Sequence, residues 1–256
     1  MSLGSTPDSV AEYIEHIANG YRTPIVIDLD GDGVKTISID SGIKFDFEGN
    51  GDKVKTGWVN ENDGFLVLDR NNDGIINNGS ELFGEETILS SGEKAKNGFE
   101  ALLDLDSNKD GILDANDLWW SSLKIWQDKN RDAYTDQGEL KSMEEVGIES
   151  INLNYKEIEY FDSEGNYHGL ASSVNWKDGR NTDIVDVWFT QGESSHFSQD
   201  NKIDKLISSL ESFTEQNSDV VIENIQGDLI QPQNILVNNL GQYHEVYYFD
   251  DGFIGF

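Results

Sequence analysis

The chain has 256 residues, of which 49 are acidic and 18 basic, giving a formal net charge of −31; this excludes a nucleic-acid partner, which needs basic patches, and disfavours an anionic membrane surface. It has no cysteine, which excludes disulfides, thiolate zinc sites and cysteine nucleophiles, and it has neither an apolar run of membrane-spanning length nor a basic-then-apolar signal peptide. With 36% hydrophobic residues, including 12 Phe, 9 Tyr and 6 Trp, it can fold around a core.

Residues 8–19 read as a helix, capped by Asp8 or Ser9, with Val10, Tyr13, Ile14 and Ile17 on one face and Gly20 at its end. Pro24 to Ile27 is a short apolar strand running into a first acidic turn, Asp28 to Gly33. The alternation Val34, Ile37, Ile39, then Ile43, Phe45, Phe47 predicts strands, and a second acidic turn covers Asp46 to Asp52. Phe65 to Leu68 is another strand feeding an acidic loop. Helices are expected over Lys94–Leu105, over Ala115–Trp126 (with Leu118, Trp119, Leu123 and Trp126), and through Leu140, Met143 and Val146, closed by Gly147. Strands follow near 151–155 and 184–189, with a hairpin around 162–166 between them. Residues 190–200 look like a linker, followed by a helix over 203–213 and strands near 220–225, 235–237 and 243–249. The expected architecture is α+β, with EF-hand-like paired calcium loops on short helices beside small antiparallel β-sheets. The expected division is a module over 8–189 and an extension or small second domain over 190–256.

The spacing of the acids carries the chemistry. Calcium takes six to eight hard oxygens, and a 12-residue loop supplies them from positions 1, 3, 5, 7, 9 and 12, with a sharp turn at position 6 that favours glycine. From Asp106, the set is Asp106, Asn108, Asp110, the Ile112 carbonyl, Asp114 and Asp117, with Gly111 at the turn. From Asp128, it is Asp128, Asn130, Asp132, the Tyr134 carbonyl, Asp136 and Glu139, with Ala133 where glycine is expected. These two loops flank the expected 115–126 helix and are therefore expected to face each other as a pair. From Asp69, the set is Asp69, Asn71, Asp73, Ile75 and Asn77, but Ser80 is twelfth and Glu81, one residue late, is the nearest acid. Two earlier turns are half-motifs, Asp28, Asp30 and Asp32, then Asp46, Glu48, Asn50 and Asp52; they pool ligands on an ion or are simple polar turns. Three or more calcium ions are expected. No catalytic constellation stands out: carboxylate pairs are too common here to carry information, and His16, His168, His196 and His244 are scattered and read as surface or hydrogen-bonded residues. Trp119–Trp120 reads as core and interface packing.

The run Pro24 to Gly33, Gly57-Trp58 with Asp63-Gly64, Asp69 to Gly84, Leu105 to Asn108, and Ile125 to Leu140 together resemble the calcium-dependent self-processing module of FrpC-like, RTX-type secreted bacterial proteins. The resemblance covers roughly residues 23–189. It implies a module folded by Ca²⁺, in which an aspartate carboxylate at the N-terminal edge attacks its own carbonyl and breaks an Asp-Pro bond. Here the equivalent bond is Thr23-Pro24, and all three prolines follow Thr6, Thr23 or Gln231. Threonine has no carboxylate to form the anhydride, so the calcium residues carry over and the scissile residue does not. The expectation is a calcium-binding, non-cleaving, non-enzymatic module of a large secreted protein such as an adhesin or toxin. The alternatives are residual peptide-bond processing, or a partner-binding role for 190–256, whose aromatics Tyr247, Tyr248, Phe249, Phe253 and Phe256 could dock a protein or the rest of the parent chain.

Overall fold

The computed structural model describes residues 22–192 and five short strands between residues 220 and 255. The expected helices over 8–19 and 203–213 and most of the expected linker lie outside the described residues. Residues 19–195 form one compact unit. Its elements in chain order are β1 (Ile25–Ile27), β2 (Thr36–Ile37), β3 (Lys44–Phe45), β4 (Val54–Lys55), β5 (Trp58–Val59), β6 (Gly64–Leu68), α1 (Gly98–Leu103), β7 (Ile112–Asp114), β8 (Leu123–Trp126), β9 (Leu140–Ser142), α2 (Met143–Val146), β10 (Ile148–Asn152), β11 (Lys156–Phe161), β12 (Tyr167–Trp176) and β13 (Asn181–Trp188). The second unit is described only through β14 (Val220–Ile222), β15 (Ile235–Asn238) and β16 (Tyr243–Glu245), which form one antiparallel sheet, and the pair β17 (Tyr247–Tyr248) and β18 (Ile254–Gly255).

The framework of the first unit is a curled antiparallel sheet of nine strands, ordered β7-β10-β12-β13-β1-β6-β8-β9, with β11 also paired to β12. Within it, β1 and β6 are apolar and buried at every position because both faces are covered. The period of two in a strand sends alternate residues to opposite faces. Ile25, Ile27, Leu66, Leu68, Leu123, Ile125 and Ile184 enter one core with α1 and α2, represented by Phe99, Leu102 and Met143. Val26, Phe65, Val67, Trp126, Val185 and Val187 enter the other. There Phe45 of β3, Phe47 of the turn that follows it and Trp58 of β5 complete an aromatic cluster with ring centroids 4.7 to 6.3 Å apart. Fully buried side chains of this size contribute on the order of 1.5–3 kcal/mol each.

The expected α+β fold is overturned: the described residues are mostly β and only 11% helical. The Ala115–Trp126 helix does not form. Leu123 to Trp126 is instead β8, hydrogen-bonded between β6 and β9, and Leu118 and Trp119 stand 81% and 50% exposed. Propensity over so short a segment yields to the burial that a central strand provides. The 94–105 helix shrinks to α1, capped by Asn97, whose side chain accepts from Glu100 N. The third expected helix is β9 followed by the single-turn α2, where Ser142 and Glu145 form a capping box and Gly147 closes in the left-handed region at φ 91°. The hairpin around 162–166 is present between β11 and β12.

Candidate metal centre in the acidic loops

All five acidic turns share one backbone. Their fourth and sixth positions are left-handed: Gly31 and Gly33, Gly49 and Gly51, Asn72 and Gly74, Lys109 and Gly111, Arg131 and Ala133. In each, the first carboxylate is fixed by amides of the turn that follows it. Asp28 accepts from Gly31 N and Gly33 N, Asp46 from Gly49 N and Gly51 N, Asp69 from Asp73 N and Gly74 N, Asp106 from Lys109 N and Gly111 N, and Asp128 from Asp132 N and Ala133 N. In the last three loops the fifth residue caps the seventh, with Asp73, Asp110 and Asp132 accepting from Ile75, Ile112 and Tyr134 N at 2.9 to 3.0 Å. The seventh side chains point outward, 40 to 60% exposed, as expected where the carbonyl is the useful group.

What separates a turn from a closed loop is a last acid reaching back. Asp117 accepts from Ser107 N and Asp114 N, the second and ninth positions of its loop. Glu139 does the same with Lys129 N and Asp136 N. Glu81, one residue late by count, accepts from Arg70 N and Asn77 N, again the second and ninth positions. A short 3-10 turn over Gly79–Glu81 absorbs the extra residue.

The first turn gains a closing acid from outside its own segment. Asp63 accepts from Leu29 N at 3.3 Å and Lys35 N at 2.8 Å. Asp28, Asp30 and Asp63 present oxygens within 4.8 Å of one another, the one such acidic or histidine group among the described residues. The cause is register. Ile27 of β1 faces Gly64 of β6, so the next pair outward is Asp28 with Asp63. Burial pushes the Asp63 carboxyl up to about 7 against the pull of the Lys35 and Leu29 amides, and the charges of Asp28 and Asp30 add to the rise. Spacing within the turn could not reveal this residue; the apolar runs of β1 and β6 were the available signal, had their pairing been known. Asp32 turns away to Lys35, and in the second turn Glu48 turns away to Arg22.

The expected pairing of the Asp106 and Asp128 loops is also corrected. The Asp128 loop contacts the Asp69 loop: Ile76 N donates to Thr135 Oγ1 at 2.9 Å, joining the eighth positions of both, and Ile76 and Ala133 share the aromatic core. The buried Asp128 accepts from the Trp58 indole at 2.8 Å; desolvation raises its pKa, opposed by the Ala133 amide and that indole. The Asp106 loop belongs to the other core, where Leu113 faces Ile151 across β7–β10. The donors gathered in the loops are carboxylate, amide and carbonyl oxygens, a set that suits calcium and not a metal held by imidazole or thiolate.

Residues 25–190 match the SPM domain family. The chain belongs to the SPM domain family. It is also similar to the iron-regulated protein FrpA of Neisseria meningitidis serogroup C, 42% identical over 166 residues, a span of 64% of this chain and 15% of the relative. The SPM domain match begins at Ile25, just beyond the bond singled out in the sequence. Thr23 is buried and its Oγ1 accepts from Glu85 N at 3.1 Å. Its carbonyl lies so close to Gly84 that a Cβ there would sit 1.6 Å away. Pro24 O accepts from Val187 N. The Thr23-Pro24 bond thus runs beside β13, just before β1, with no carboxylate on residue 23. His168 is buried, with Nε2 3.0 Å from Asp162 and its ring stacked on Tyr160. Among the described residues no helix is long and apolar enough to cross a membrane.

Proposed function

We propose that this SPM domain is a calcium-binding module, folded by several Ca²⁺ ions, of a large secreted bacterial protein of the RTX type, and that it does not cut its own backbone. The proposed division is a module over 8–189 and an extension or small second domain over 190–256. The observation that supports the reading best is the repeated closure: Asp63, Glu81, Asp117 and Glu139 each reach back to backbone amides of a loop. Four such loops gather anionic charge that repels itself, and a cation would neutralise it. Inside the cell, where calcium is low, the chain would stay loose enough for export; outside, millimolar calcium would drive folding.

The test is a calcium titration by near-UV circular dichroism, with magnesium as control. A saturable, calcium-specific tertiary signal is expected, because Trp58 and Trp126 lie in the core that carries the Asp128 and Asp69 loops. A spectrum equally folded in chelator and in calcium would sink the reading. The non-cleaving half is checked by intact mass after days in calcium, where the mass of the whole chain is expected to persist.

A further inference from the structure

Leu118 and Trp119 follow directly on Asp117, the closing acid of the Asp106 loop, and stand 81% and 50% exposed. Their backbone is held from several sides. Leu118 N donates to Ser107 Oγ, and Ser107 donates through N and Oγ to Asp117. Trp120 N donates to Asp117 O, while Ser122 N and Leu123 N donate to Trp119 O. An apolar pair presented on a fixed backbone loses little conformational freedom when it docks, and tryptophan is enriched among residues that dominate binding energy. The surroundings select the partner. The loop carries Asp106, Asp110, Asp114 and Asp117 against Lys109, so one bound Ca²⁺ would not reverse its sign. In a chain of net charge −31, a second copy is repelled.

We infer that Leu118–Trp119 is the anchor of a docking surface for a protein segment that is apolar and basic, the apolar part covering the pair and the cations meeting the acidic loop. The inference goes beyond the calcium reading and does not depend on which loops take up ions.

The experiment uses the full chain in calcium buffer at physiological salt and two labelled synthetic peptides of equal positive charge, an amphipathic Lys/Leu helix and a Lys/Ser sequence. Fluorescence anisotropy is expected to show the Lys/Leu peptide binding about tenfold tighter or more. The double variant L118S/W119S is expected to lose that preference while binding the Lys/Ser peptide as before; I88S, a change at another exposed apolar residue, is expected to keep it. Both sets of changes are at the surface, and an unchanged circular dichroism spectrum checks that the variants fold. A Lys/Leu preference absent from the parent chain, or kept in L118S/W119S, would overturn the inference. So would two other results: binding to neutral phosphatidylcholine vesicles that depends on the pair, which would assign it to a membrane, or self-association that the double variant abolishes, which would assign it to a second copy.

Discussion

Asp186 of β13 is fully buried. One of its oxygens accepts from Gly98 N at 2.7 Å, at the start of α1, and the other has no hydrogen-bond partner. Burial first, with the charge of Glu85 adding and the Gly98 amide opposing, raises its pKa to about 7. An unfolded aspartate titrates near about 3.9, so the folded chain holds this proton more tightly. The stabilisation from that proton is complete below about pH 4 and disappears as pH rises through about 7. Asp186→Asn is therefore expected to raise stability at pH 8 by on the order of 1–3 kcal/mol and to change little near pH 4; urea midpoints at saturating calcium measure this, and an equal effect at both pH values would contradict it. Gly111 occupies φ +80°, and a Cβ added there would meet nothing within 4 Å, so any penalty at that site comes from the backbone and not from crowding. Gly111→Ala is expected to cost about 1 kcal/mol, read from the same midpoints. Ala133 already tolerates φ 58° in the Asp128 loop, because its methyl is buried in the aromatic core and offsets the strain.

Among the elements, the loops are held by the strands they interrupt. Asp28 and Asp63 meet because β1 and β6 pair, and the Asp69 and Asp128 loops meet because both lie over the same aromatic core. The Asp69 loop gives a sharp test, since counting residues favours Ser80 and the hydrogen bonds favour Glu81. Glu81→Gln is expected to weaken one calcium site about tenfold or more while Ser80→Ala leaves all sites unchanged, both read by isothermal titration. The reverse result would mean that position 12 is filled by count and not by geometry. Glu81 is buried and Ser80 exposed, so thermal midpoints in chelator separate a folding defect from a lost ligand.

For the molecule as a whole, charge and metal are one question. An ion that binds only the folded chain adds about 1.4 kcal/mol of stability for each tenfold rise in its free concentration above its dissociation constant. Four closed loops predict a slope of about 5–6 kcal/mol per decade of calcium if all fill on folding, measured by denaturant unfolding at a series of buffered calcium concentrations. A slope near one ion's worth would assign folding to a single loop, and no slope would make the loops structural turns.

The repeated acidic turn was legible in the chain. Residue identities at fixed spacing are local, and a turn with oxygen-bearing side chains at alternate positions and a left-handed sixth residue folds one way wherever it lies, so the shared backbone of the five turns could be read from residues such as Asp106, Asn108, Asp110 and Gly111. The strands of the sheet centre were legible for the same reason, since the unbroken apolar runs Ile25–Ile27 and Phe65–Leu68 have to be buried on both faces. The rest came from long-range packing. Whether Leu123–Trp126 becomes a helix or a strand depends on β6 and β9 being there to bond it. Asp63 joins Asp28 because antiparallel register brings together residues far apart in the chain, and which loops face each other follows from which of the two cores they cover. Spacing along a chain encodes turns, whereas register, partner and burial exist only once distant segments have met.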